Sequence, residues 1–303
     1  MPMAIVEIAA EGFDWGAATG PAAQLQQITK AATAHDGAFT LNEQAVLGLR
    51  HRGLQDARLW MSDVGFALLR EGRMLDLVVH PEFRGSGVAT ELLTSVAQQA
   101  DQVEAWSHCD HPGAAALAAR WGVPRMRELL VMERDITTAV SPVSVPDDVV
   151  VRTFQPEDEA ALLDVNAAAF AHHPEQGEMS SADFHQRMSA DWWDPAGLFV
   201  AVPKDPDAGP AVLGFHWTKV HHDGAEPHGE VYVVAVNPRM AGRGLGTLLT
   251  NVGLAHLQAQ GLRRVFLYVE GDNDPAIAVY TKQGFAVTRT EAQYVGQLRP
   301  PSR

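Results

Sequence analysis

The chain predicts an α+β (mixed α/β) protein built as two tandem domains, each a mixed central sheet flanked by helices. Three observations carry that expectation. A strand, turn and helix segment occurs twice at a fixed offset, a proline-marked stretch lies between the copies, and short apolar strands alternate with helix-length segments.

The repeat is the strongest of the three. A shift of 157 residues lays Leu75-Asp76-Leu77-Val78-Val79-His80-Pro81-Glu82-Phe83-Arg84-Gly85-Ser86-Gly87-Val88-Ala89-Thr90 over Tyr232 to Thr247. Val79 then meets Val236, Pro81 meets Pro238, Gly87 meets Gly244 and Thr90 meets Thr247. The matches fall at a strand end, a turn proline, a loop glycine and a first helical turn, where geometry is most demanding. Self-similarity at a fixed period is an architectural signal.

The domains are expected at 1–138 and 150–303, with a linker over 139–149 that contains Ser141-Pro142 and Val145-Pro146. In the second domain, Val149 to Phe154 alternates as an opening strand, and Gln155-Pro156-Glu157-Asp158 starts a helix over 156–170 with acids in its first turn. The remaining pattern predicts a helix over 180–192 and strands over 197–202, 211–220 and 229–236. Beyond these come a helix over 243–260, a strand over 264–270, a helix over 274–283 and closing strands near 285–297.

Composition narrows the function. A length of 303 residues with 46% hydrophobic and 20% charged content is that of a folded globular chain. A formal net charge of −14 repels phosphate backbones, so no nucleic-acid partner is expected, and a cationic or neutral polar substrate suits the field. No run approaches the ~18 apolar residues of a membrane span, and the first residues carry no secretory pattern. A cytoplasmic monomer without a membrane partner is expected. The single cysteine, Cys109, rules out an internal disulfide, and a buried inert thiol is its expected role. The 13 histidines include the adjacent pairs His172-His173 and His221-His222, whose side chains diverge. Surface or capping histidines, and no metal, are expected.

The chemistry concentrates between Glu230 and Phe285. An apolar run stops at Pro238, turns through Gly242, Gly244 and Gly246, and enters a helix, which aims backbone N–H groups and a positive helix end at an anion. Glycines needed only for tight turns would give a similar string, but the repeated proline, glycine and threonine pattern favours phosphate binding. The spacing is not a dinucleotide fingerprint, and no Gly-Lys-Ser/Thr ending marks a nucleotide-hydrolysing loop.

Arg84-Gly85-Ser86-Gly87-Val88-Ala89 and Ala241-Gly242-Arg243-Gly244-Leu245-Gly246 resemble the pyrophosphate loop, Gln/Arg-x-x-Gly-x-Gly/Ala, of the Gcn5-related N-acetyltransferase family. Alanine stands at the Gln/Arg position of the second copy, where Arg239 or Arg243 can compensate. The resemblance implies two acetyl-CoA sites, one per domain. The first would use Leu77, Val78, Val79, Gly85, Ser86, Gly87, Val88, Ala89 and Thr90. The second would use Val234, Ala235 and Val236, then Ala241, Gly242, Arg243, Gly244, Leu245, Gly246 and Thr247. It would be completed by Asn273, Asp274, Pro275, Ala276, Ile277 and Ala278, which match an Asn-x-x-Ala turn and helix. The same likeness implies catalytic roles for Glu230 as general base and Tyr280 as general acid toward the leaving thiolate. A backbone N–H near Val234 to Val236 would face the acetyl oxygen. In the first copy Arg73 stands for Glu230, Ala118 for Tyr280 and His111 for Asn273. That half is expected to hold coenzyme without turnover.

Longer strings outside the loop, His-Pro-Glu-Gln-Gly from His173, Phe215-His216-Trp217-Thr218-Lys219, and Leu267-Tyr268-Val269-Glu270 before Asp272-Asn273, are similar to a tandem branch of that family. Those members acetylate the cysteinyl amine of a cysteinyl-glucosaminyl-inositol, a small thiol pseudo-disaccharide. The likeness implies that Glu43, Glu175, Lys219, Glu230 and Tyr268 contact this acceptor, with Glu43 reaching over from the first domain. Another small amine or a peptide N-terminus, or a coenzyme sensor without turnover, are the competing readings.

Overall fold

In the first half of the chain, β1 (Val6–Ile8) is followed by α1 (Pro21–Asp36) and α2 (Glu43–Arg52). Pro21 opens α1, and Gly37 closes it in the left-handed region at φ 66°, with its N–H donating to the Thr33 carbonyl. Ala22, Leu25, Ile28 and Ala32 recur every three or four residues and form the buried face of α1. Asn42 caps α2 by accepting from the Ala45 N–H at 2.8 Å. The antiparallel strands β2 (Ala57–Ser62), β3 (Gly65–Arg70) and β4 (Met74–Val79) come next, then α3 (Val88–Val96), β5 (Gln102–Ser107), α4 (Pro112–Arg120) and β6 (Arg125–Asp135).

In the second half, β7 (Val149–Thr153) leads through a short turn of 3-10 helix at Pro156–Asp158 into α5 (Glu159–Ala169). Asp158 closes that turn by accepting from the Gln155 N–H at 2.8 Å and from both Arg152 guanidinium ends. Next come α6 (Ser181–Met188), β8 (Leu198–Pro203), β9 (Gly214–His221), β10 (His228–Val236), α7 (Leu245–Ala259), β11 (Arg264–Glu270), α8 (Asp274–Lys282) and β12 (Ala286–Gln297). The sequence pattern thus yields every α-helix and strand of this half. The main departures are α6, which ends at Met188 where Trp192 and Trp193 turn onto Trp217, and a single closing strand in place of several. The chain is seen here as a computed structural model that describes residues 4–138, 140, 144–171, 176–207, 209–222 and 226–300. The expected linker falls partly outside them.

The chain divides into two compact units, Met1–Leu129 with Arg289–Arg303, and Leu130–Thr288. Unit 1 orders its strands β1-β2-β3-β4-β5-β12, with β12 antiparallel to β5 from Ala292↔Ser107 to Gln297↔Gln102. Its core lies on both sheet faces: Trp60, Leu92, Val96 and Trp121 on one, Leu25, Leu49, Phe66 and Leu68 on the other. Unit 2 orders its strands β6-β11-β10-β9-β8-β7. Leu162, Phe184, Phe215 and Trp217 fill one side, and Leu249, Leu254 and Leu257 of α7 fill the other. Both units are mixed sheets between helices, as the repeat implied.

Candidate active site

Unit 2 parts its sheet where the sequence expects chemistry. β10 and β11 run parallel but share only the register pairs Gly229↔Val265 and Glu230↔Phe266. Beyond Glu230 the strands diverge, which frees the β10 edge toward Val236. The β4 and β5 pair of unit 1 diverges in the same way after a single pair, Met74↔Glu104.

Both loops after the diverging strands have one backbone shape. Gly85 and Gly87 adopt φ 76° and 95°, and Gly242 and Gly244 adopt 77° and 76°. Nothing lies within 4 Å of a Cβ built at any of the four, so glycine serves backbone conformation there, not close packing. Gly87 and Gly244 precede α3 and α7 with no side chain capping either helix, so the first N–H groups remain open to an anion.

The arginines of the loops are differently committed. Arg84 meets Asp36 through both guanidinium ends at 2.7 Å, and Nη1 lies 3.1 Å from His111 Nε2. That contact holds the Asp36 carboxyl below its ordinary range. Arg243 is bound to Asp148 at 2.7 and 2.8 Å. Arg239 is exposed and its guanidinium makes no hydrogen bond or ion pair among the described residues, so it is the freer cation beside the second loop.

Strand alternation sorts the remaining groups. Glu230 pairs with Lys219 across β9 and with Phe266 across β11, so these share a face with His221, His228 and Tyr268. Tyr232 is an extra residue between the pairs Val231↔Thr218 and Val233↔Trp217, and this bulge turns its ring toward Trp192 and Trp217. Lys219 Nζ lies 4.8 Å from the Trp192 ring centre and 5.5 Å from that of Tyr232. Arg187 donates to the Tyr232 hydroxyl at 3.0 Å. Tyr268 is exposed.

Tyr280 stands on the other side of the parted strands. It packs against the core cluster that holds Val231, Leu267 and Val269, strand residues of opposite phase to Glu230, and its ring lies 5.8 Å from that of Phe285. Burial pushes its hydroxyl up to about 12, so it is a neutral donor throughout the physiological range. Asn273 caps α8 by accepting from the Ala276 N–H at 3.2 Å. His111 does the same for α4 of unit 1, with Nδ1 accepting from Gly113 N–H at 3.0 Å.

Two expected acceptor residues are not placed. Glu175 lies outside the described residues, and Glu43 begins α2 with its side chain likewise undescribed. Two expectations from sequence need correction. Cys109 is not buried but partly accessible at a cavity of unit 1, with desolvation raising its thiol. His221 is not a surface or capping histidine: Nε2 lies 2.6 Å from Glu230 Oε2. Adjacent numbering to His222 hid this, because strand alternation alone sends His221 inward. Among the described residues no cluster of three His, Cys, Asp or Glu is arranged for a metal, and no helix is long and apolar enough to cross a membrane.

The unit 1 cavity has a volume of about 500 Å³ and is lined by Leu77, Val78, Val79, Gly85, Gly87, Val88, Ala89 and Thr90, with Ala118 at its wall. The first-copy residues singled out from sequence thus converge on one space, apart from Ser86, whose hydroxyl turns back to the Phe83 carbonyl.

A mixed sheet that parts beside an uncapped helix N-terminus, present twice, defines an acyl-CoA-dependent N-acyltransferase architecture. The model of the acetyltransferase (GNAT) family matches residues 58–122 and 166–285. The chain is 48% identical to a mycothiol acetyltransferase of Nocardioides sp. over 90% of this chain and 96% of the relative. It is 44% identical to that of Nocardia farcinica over 89% and 92%. Its fold is similar to a GCN5-related N-acetyltransferase from Sphaerobacter thermophilus (TM-score 0.71, 20% identity, covering 98% and 97% of the two chains). It is also similar to a tandem GNAT protein from the clavulanic acid biosynthesis pathway (0.65, 19%, 97% and 98%). The chain belongs to the GNAT acetyltransferases and, within them, to the family of the mycothiol acetyltransferases.

Proposed function

We propose that this enzyme moves the acetyl group of acetyl-CoA to the cysteinyl amine of cysteinyl-glucosaminyl-inositol, giving mycothiol and CoA. The observation that carries the chemistry is the placement of Glu230 at the last paired position before β10 and β11 part, with Tyr280 on the opposite side of the gap. The relatives' shared name supports the acceptor.

Glu230 takes the proton that the ammonium must lose, directly or through water, so that nitrogen attacks the thioester carbon. The freed β10 edge near Val234 to Val236 offers a backbone N–H to the oxygen that gains charge. As the C–S bond breaks, the Tyr280 hydroxyl gives its proton to the departing sulfur. No covalent enzyme intermediate is needed. Lys219, Glu230 and Tyr268, with Glu43 and Glu175, are proposed to hold the acceptor. Residues 234–236, 241–247 and 273–278 are proposed to hold the coenzyme.

Unit 1 is proposed to hold a second acetyl-CoA without turning it over, since Arg73 and Ala118 replace the base and the acid. The enzyme is taken to be a cytoplasmic monomer without nucleic-acid or membrane partners, divided functionally at 1–138, 139–149 and 150–303.

Release of CoA with the cysteinyl acceptor, compared with aminoglycosides, glucosaminyl-inositol and peptide N-termini, tests the reading. At least tenfold higher kcat/KM for the cysteinyl compound is expected. Equal rates across the panel would refute the acceptor assignment.

A further inference from the structure

The short contact between His221 and Glu230 does work that the two-residue mechanism leaves out. Glu230 is almost fully buried, yet among the described residues its side chain receives one hydrogen bond, to Oε2, from His221 Nε2 at 2.6 Å. An ionised carboxylate only accepts, so Nε2 carries the hydrogen and Nδ1 is left for the opposite edge of the ring. That ring is held from two sides. It stacks on His228 with centroids 5.2 Å apart and planes 8° from parallel, and it lies 5.2 Å from Phe266. Phe266 also touches His228, at 5.4 Å. His221 and His228 are a register pair at one end of the β9 and β10 ladder, two residues from the Lys219↔Glu230 pair, so rigid sheet backbone sets their spacing.

We infer that His221 is a positioning residue for the general base: its Nε2–H fixes Oε2 of Glu230, which leaves Oε1 as the oxygen presented to the acceptor amine. This rests on the base role proposed above for Glu230. A buried carboxylate without a fixed partner samples several rotamers and is costly to keep ionised. One donor locked by stacking restricts the rotamer. The other ionisable groups on this face are Lys219 from β9, His228 and Tyr232 from β10, and Arg264, Tyr268 and Glu270 from β11. Lys219 is drawn toward Trp192 and Tyr232. His228 sits behind His221, and its Nδ1 is 3.4 Å from the Glu226 carbonyl.

Steady-state kinetics of the full chain with acetyl-CoA and the cysteinyl acceptor decides the matter on His221→Ala, His221→Gln and Glu230→Gln. His221→Ala should lower kcat by about 10- to 100-fold, with the KM for acetyl-CoA unchanged within about twofold, the range of loss for an outer-shell partner. The side-chain amide of His221→Gln keeps an N–H donor and should recover most of the rate. In the Glu230→Gln background, His221→Ala should add little further loss. Unchanged rate in His221→Ala, or equal impairment of the Ala and Gln variants, would overturn the positioning role. If Glu230→Gln itself keeps full rate, the base assignment fails first, and the positioning role falls with it.

Discussion

His216 and Gly253 share one space between β9 and α7. A Cβ built on Gly253 would stand 2.1 Å from the His216 ring, which is fully buried and bonded through Nδ1 to the Leu249 carbonyl at 2.8 Å. Glycine is required here by contact, unlike the loop glycines. Gly253→Ala should destabilise unit 2 by about 2–3 kcal/mol through overpacking, read as a lower denaturation midpoint with an unchanged slope.

Burial lowers His216 from its ordinary value of 6.5 to about 4. The neutral ring is the folded form, so its contribution is intact above pH 6.5 and is lost as the pH falls toward 4. The whole loss is about 3 kcal/mol at most. Denaturant titrations at pH 7, 5.5 and 4.5 should show the decline, and His216→Met should flatten it.

The Arg84 and Asp36 fork closes the unit 1 loop against the end of α1. Asp36→Asn should cost about 1–3 kcal/mol, since a part-buried guanidinium loses its charged acceptor. Because the Asp36 pKa is depressed below 3.8, the wild-type advantage should hold above about pH 4 and vanish as acidity passes the folded value. Thermal melts of both proteins from pH 3 to 7 provide the comparison.

Tyr280→Phe should reduce kcat by about 10²–10⁴-fold while leaving the affinity for acetyl-CoA nearly intact. With the hydroxyl raised to about 12, no rate loss from tyrosine ionisation should appear below about pH 11. Stopped-flow measurement of CoA release reports the rate, and a full rate in the variant would remove the acid role.

Lys219 is held over two aromatic rings on the same face as Glu230. Lys219→Met keeps the stem and removes the charge, and it should raise the acceptor KM about tenfold at little cost to the KM of acetyl-CoA. Initial rates with each substrate varied in turn separate these effects. The aromatic contacts alone are worth about 0.5–2 kcal/mol.

The loops were legible from the chain because glycine at positive φ and proline at a strand end leave a mark at each position, and the repeat doubled it. Strand phase was legible too, which placed Glu230 and Lys219 as partners once the pairing was known. The His221 contact was not legible, since it depends on which β9 residue lies opposite His228, and pairing register is a long-range property. The occupation of Arg84 by Asp36 was hidden for the same reason: the two lie 48 positions apart. Trp192 carries no motif, and only the early end of α6 brings it over Lys219.

The extra residue at Tyr232 acts as a phase shifter. Glu230 and Val233 lie three apart yet face one side, whereas an unbroken strand would set them on opposite sides. Deleting Tyr232 would leave them two apart, the spacing an unbroken strand gives to one face, so the carboxylate and the Val233 and Ala235 wall would keep their side and only the Tyr232 ring beside Trp192, Trp217 and Lys219 would be lost.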